Sequence, residues 1–240
     1  MRKRWNFVTL LAMTVVLLTG CMYPEEQKIA NQIPDVDQLT AVQRAVDEFR
    51  AETGVLPIKT RDMDTDIYIK YLIDFEKLVP KYMASTPANS YEKGGIFQYI
   101  IWDPEERAVV KLVDLRTPER MREINIRSTT KDYPQFGTQV ADFVYNVNFE
   151  NLGYKEPILI DSPYSNNKLP LVMSSEGRVY VDYSIDLYKF IQENDLDIEP
   201  GEDIRDYLVE AYPVVPAYSL PYTVDEKNEP VFMYNPIENK

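Results

Sequence analysis

A single cysteine, at position 21, and no histidine are what most constrain the fold of this 240-residue chain. One thiol cannot close an intrachain disulfide, and it cannot supply a cysteine-based zinc or iron–sulfur site. Without histidine there is no Ser-His-Asp triad, no imidazole base and no histidine metal ligand. Glycine is also scarce, 8 residues, which leaves little material for a phosphate-cradling loop. With 39 acids against 26 basic residues the formal net charge is −13, which argues against a nucleic-acid partner because phosphates would be repelled.

The position of that cysteine is informative. Arg2, Lys3 and Arg4 form a basic start, Phe7 to Leu18 is apolar except for two threonines, and the run ends in Leu18-Thr19-Gly20-Cys21. The apolar stretch is short for a membrane span of about 20 residues and has the size of a signal-peptide core. The four closing residues resemble the bacterial lipobox. That resemblance implies cleavage before Cys21 and diacylation of its thiol; an uncleaved N-terminal anchor is the alternative. The expected segments are a signal peptide at 1–20 and a lipidated tether at 21–34, whose polar part Tyr23 to Pro34 spans roughly 40 Å if extended. The remaining chain from Cys21 carries a net charge of −16. Electrostatics would repel it weakly from an anionic leaflet, so two acyl chains would have to hold it there. The expected localisation is the outer face of the cell membrane.

Apolar periodicity predicts an α+β fold, with helices packed on small antiparallel sheets. Leu39, Val42, Val46 and Phe49 make a helical stripe that Gly54 and Pro57 should stop, with Asp35/Gln38 and Thr40/Gln43 as candidate capping boxes. Asp74 should cap a short helix ending before Pro80. Strands 96–102 and 108–115 should form a hairpin around Asp103-Pro104-Glu105-Glu106, followed by a helix over 117–124. A second round is then expected. Val140, Phe143, Val144 and Val147 read as another helical stripe, before Gly153, strands 169–173 and 178–183 around Ser174-Ser175-Glu176-Gly177, and a helix over 187–192. The order suggests a first helix-plus-hairpin unit at 35–130 and a second at 131–211, which together are one domain or two fused similar units. Residues 202–211 read as a further helix. The Tyr/Pro-rich segment 212–240 should be extended, because Pro213, Pro216 and Pro221 forbid a continuous ladder. Its part 212–222 should lie along the domain as a cover or an added edge strand, with a loose polar tail from Glu226.

Within the first unit, residues 42–102 resemble the soluble part of a type II secretion pseudopilin. The likeness rests on Phe49…Gly54-Val55-Leu56-Pro57, Leu78-Val79-Pro80-Lys81-Tyr82, Thr86-Pro87 and Gly94-Gly95…Tyr99. It implies a helix on a small antiparallel sheet. Polymerisation is not carried over, since a lipobox stands where those proteins have a long apolar helix. The whole chain also resembles uncharacterised surface lipoproteins of Gram-positive, spore-forming bacteria, which implies no activity.

Several constellations carry residue types that chemistry could use. Asp62, Asp64 and Asp66, and again Asp195, Asp197 and Glu199, have the alternation of a calcium loop but lack its glycine and closing glutamate, so they read as solvated acidic loops. Ser165 and Lys168 match a Ser-x-x-Lys spacing within a loop and read as chance. Arg116, Arg120, Arg122, Arg127 and Lys131 form a basic island, expected mainly to pair with surrounding acids and otherwise to meet an anionic polymer or headgroup. Tyr207, Tyr212, Tyr218, Tyr222 and Tyr234 are expected in a core or at a binding face. No catalytic residue, cofactor or metal is assigned; the one assigned site is lipid attachment at Cys21. The expected function is non-enzymatic binding of a protein or envelope partner at the membrane surface, with a carboxylate-based wall or carbohydrate hydrolase as the alternative.

Overall fold

Gln43 shows how the first helix is seated. In the computed structural model, which describes residues 36–236, helix α1 runs Val36–Thr53 and buries Val42, Ala45, Val46 and Phe49. The Gln43 side chain accepts from the Val110 amide at 2.6 Å and donates to the Ala108 carbonyl at 3.1 Å, fastening the helix to the strand it covers. Neither Thr40 nor Gln43 is therefore a cap. The Thr40 hydroxyl donates back to the Val36 carbonyl at 2.8 Å inside the helix, and Asp35 lies outside the described residues. Gly54 ends α1 as expected, at φ +74° with its amide on the Arg50 carbonyl.

Two single-turn helices follow, α2 (Ile67–Lys70) and α3 (Phe75–Leu78), capped by the carboxylates of Asp66 and Asp74. Strands β1 (Phe97–Trp102) and β2 (Val109–Asp114) then form the expected hairpin, in register from Phe97↔Asp114 to Trp102↔Val109. The chain enters it through Gly95, where any Cβ would sit 2.1 Å from the Asn89 carbonyl oxygen. Alternation sorts the hairpin into two faces. Phe97, Tyr99, Ile101, Val110 and Leu112 pack under α1, while Ile100 and Val113 face Tyr68, Val209, Val215 and Ala217.

Helix α4 (Arg116–Thr129) extends five residues past its expected end, because Met121, Ile124 and Ser128 continue one buried stripe. The next expectation fails. Residues 140–147 are not a helix but a hairpin of β3 (Phe136–Ala141) and β4 (Val144–Val147). Val144 and Val147, three apart, are buried on opposite faces of β4, Val144 against Val172 and Leu220 and Val147 in the larger core with Leu171 and Met173, while Val140 is exposed and Phe143 occupies the turn at φ +61°. The second region thus lacks the leading helix that would make it a copy of the first. Instead β3 and β4 join β7 (Leu171–Ser174) and β8 (Val179–Val181) in a four-stranded antiparallel sheet, order β3-β4-β7-β8. The short pair β5 (Ile160–Asp161) and β6 (Lys168–Leu169) precedes it.

Helices α5 (Ser184–Glu193) and α6 (Arg205–Ala211) form where expected, α5 starting three residues earlier than 187 and α6 three residues later than 202. The segment after α6 packs as an added edge. Val214 bridges Leu112 in parallel, with the Leu112 amide on the Pro213 carbonyl and the Val215 amide on the Leu112 carbonyl, both at 2.9 Å. Prolines flank the two residues that pair, so no ladder bond is lost to them. Val214, Val215, Ala217, Leu220 and Tyr222 are buried. The tail is more ordered than expected: β9 (Tyr222–Val224) pairs with β10 (Pro230–Phe232), and the Phe232 ring lies 4.6 Å from that of Tyr222. The architecture is α+β, and the described residues form one compact unit.

Candidate binding cleft

Arg205, at the start of α6, organises one side of a cleft of about 740 Å³. Its side chain is 10% exposed. The guanidinium grips the Asp203 carboxylate with two nitrogens, Nε at 3.0 Å and Nη2 at 2.6 Å. Nη1 donates to the Ser219 carbonyl at 3.0 Å, and the cation lies 4.9 Å from the centre of the Tyr68 ring. A planar fork of donors suits this bidentate, stacked role, which a lysine could not fill. Tyr68, fully buried, stacks on Trp102 at 5.3 Å, so the Arg205 cluster rests on the β1–β2 hairpin.

Four other segments complete the cleft. The loop before α2 supplies Asp64 and Asp66, and the β7–β8 turn supplies Glu176 and Arg178 with Tyr180. Tyr218 and Leu220 line the cleft from the segment after α6, and Met233 and Tyr234 from beyond β10. Tyr218 is left-handed at φ +60°, a costly conformation for an aromatic residue, held by its carbonyl accepting from the Val181 amide at 2.9 Å. The Tyr234 hydroxyl approaches Glu176 Oε2 at 3.4 Å. Asp66 accepts from the Tyr68 amide at 2.8 Å. Although the edge of Asp66 meets solvent, partial burial is the main influence on its carboxyl and raises its pKa; the Tyr68 amide and Arg205 pull the other way. Asp206, the next residue of α6 after Arg205, is likewise raised, chiefly by burial.

The residues singled out from sequence are dispersed. Cys21, the signal segment and the tether lie outside the described residues. Asp64 and Asp66 do meet in the cleft, but Asp66 is spent as a helix cap, and no cluster of potential metal ligands occurs among the described residues. Ser165 does not pair with Lys168. Its hydroxyl donates to Asp186 at 2.7 Å, as does that of Ser162, and Lys168 is ion-paired with Asp161. The basic island is partly neutralised, Arg116 by Asp114 and Arg127 by Glu123. Arg116 and Arg120 border a second groove of about 530 Å³ together with Glu119, Glu123 and Asp161. Of the late tyrosines, Tyr222 is core, Tyr207 and Tyr212 pack on Phe190, and Tyr218 and Tyr234 face the cleft. Sequence reading missed Glu176, Arg178, Tyr180 and Arg205 as cleft residues. No spacing marks them, because they come together only when β8, α6 and the tail are packed.

Comparison with known proteins places a YphF family N-terminal domain at residues 35–114, from α1 through β2. This match is consistent with an uncharacterised family of the spore-former type. It covers one cleft wall, Asp64 to Ile69, and leaves the other walls outside it. No curated protein and no solved structure matches the chain. Among the described residues no helix is long and apolar enough to cross a membrane.

Proposed function

We propose that this chain is a lipoprotein anchored to the outer face of the cell membrane through a diacylated Cys21, and that its folded part binds a protein or envelope partner without catalysis. The observation that carries the reading is Leu18-Thr19-Gly20-Cys21 behind a basic start and a short apolar run, with the chain's sole cysteine in the acylated position. Binding is favoured over turnover by the state of the cleft. Asp203 is consumed by Arg205 and Asp66 accepts from a backbone amide, so both carboxylates hold the shape of the cleft. The pseudopilin likeness of 42–102 enters as local shape alone, a helix over a hairpin.

Labelled fatty acid fed to cells should enter the wild-type protein and not Cys21→Ser, which should also leave the membrane fraction. Label in the mutant overturns the anchor. The hydrolase reading draws on Asp66, whose carboxyl is raised by burial in the cleft. Release of wall fragments by purified protein, lost in Asp66→Asn, would select it.

A further inference from the structure

The cleft has the volume of a ligand site and lies between the segment that matches the family domain and the rest of the chain. Its charges do not balance. Arg205 and Asp203 cancel each other, with the guanidinium donors spent on Asp203 and Ser219. Among the described residues that line the cleft, Asp64, Asp66 and Glu176 then outnumber the one remaining cation, Arg178. Half-buried Tyr180, Tyr218 and Tyr234 present ring surface beside these acids. Carboxylates next to tyrosine rings suit an ammonium or guanidinium group, which gains from both the anion and the ring quadrupole. The net charge of −13 adds long-range attraction for a cationic partner.

We propose that this cleft binds a basic peptide segment of a protein partner, placing lysine or arginine side chains against Asp64 and Glu176 and an apolar or aromatic residue on Tyr218 and Tyr234. This rests on the binding role proposed above, yet it stands or falls independently of lipidation, because it is read on the isolated protein.

The test titrates the purified full chain in detergent with the capped peptide Lys-Tyr-Lys-Tyr-Lys, followed by calorimetry. Saturable binding that weakens with added salt is expected. The double variant Asp64→Asn/Glu176→Gln should weaken it by about fivefold, and Tyr234→Ala by about threefold. Glu105→Gln/Glu106→Gln, the same charge change on a remote turn, should leave it unaltered. Three results would overturn the proposal: no saturation at millimolar peptide, equal binding of Glu-Tyr-Glu-Tyr-Glu, or equal loss in the remote variant. Spermidine binding as tightly as the peptide would also overturn it, since charge alone would then suffice. Circular dichroism of each variant separates loss of binding from loss of fold.

Discussion

Asp186 illustrates how a single buried carboxyl can set a pH dependence. It is 4% exposed, and each of its oxygens accepts from a serine hydroxyl, Ser165 on Oδ1 and Ser162 on Oδ2. Burial is the larger influence and pushes its pKa up, with the hydroxyls pulling the other way. The folded state therefore holds this proton more tightly than the unfolded state does. Its contribution to stability is full below the ordinary carboxylate value, about 3.9, and is lost as pH rises through the higher folded value. Urea titrations at several pH values should show wild-type stability falling relative to Asp186→Asn across that window. A constant difference between the two proteins would mean that Asp186 is not raised. Lys111 shows the same physics with the opposite charge. Burial lowers its pKa, and its ammonium donates to the carbonyls of Val209 and Tyr212 at the end of α6, where a cation is favoured.

Among the elements, the edge strand built from 212–222 carries more than its length suggests. It caps β2, it brings Val214, Val215, Ala217, Leu220 and Tyr222 into the core, and the Tyr222 hydroxyl accepts from the Tyr183 amide at 2.9 Å. Burial of an aromatic or large aliphatic side chain is worth about 1.5–3 kcal/mol. A chain of residues 22–211 should therefore melt well below 22–240, or fail to melt cooperatively. Equal melting temperatures would show that the segment adds nothing to the fold. The β3–β4 hairpin shows the limit of reading elements from periodicity. Steps of three and four between Val140, Phe143, Val144 and Val147 fit a helix face. The same residues also serve a hairpin when one of them occupies the turn, and here Phe143 does so at φ +61°.

At the scale of the molecule, the core under α1 and the larger core around α4, α5 and the four-stranded sheet are linked by a third cluster. That cluster joins Ile100 and Val113 of the first hairpin to Val209, Val215 and Ala217 from near the chain's end. The domain matched at 35–114 therefore leaves one face of its own hairpin covered only in part, by Tyr68 and Leu72, when it stands alone. Expressed by itself, 35–114 should be far less stable than the same residues in the full chain, which should unfold in one calorimetric transition. A separate transition for 35–114, or an isolated fragment of undiminished stability, would show that it is an autonomous domain.

Sequence by itself determined the features whose signals are local. Gly54 stops α1 because glycine alone enters the left-handed region without strain, and Asp74 caps α3 because a short carboxylate reaches its own helix amides. The turns at 103–106 and 174–177 fix the two hairpins they were expected to fix. The lone cysteine and absent histidine exclude an intrachain disulfide and imidazole chemistry from the sequence alone. Only the tertiary structure decided what residues far apart in the chain do together. It chose strand over helix at 140–147, because β7 offers β4 a partner and no helix face was required there. It laid 213–215 beside β2, and it gathered Asp64, Glu176, Arg205 and Tyr234 into one cleft. Local spacing records the energy of neighbours along the chain, whereas pairing and clefts depend on contacts that exist only once distant segments have packed.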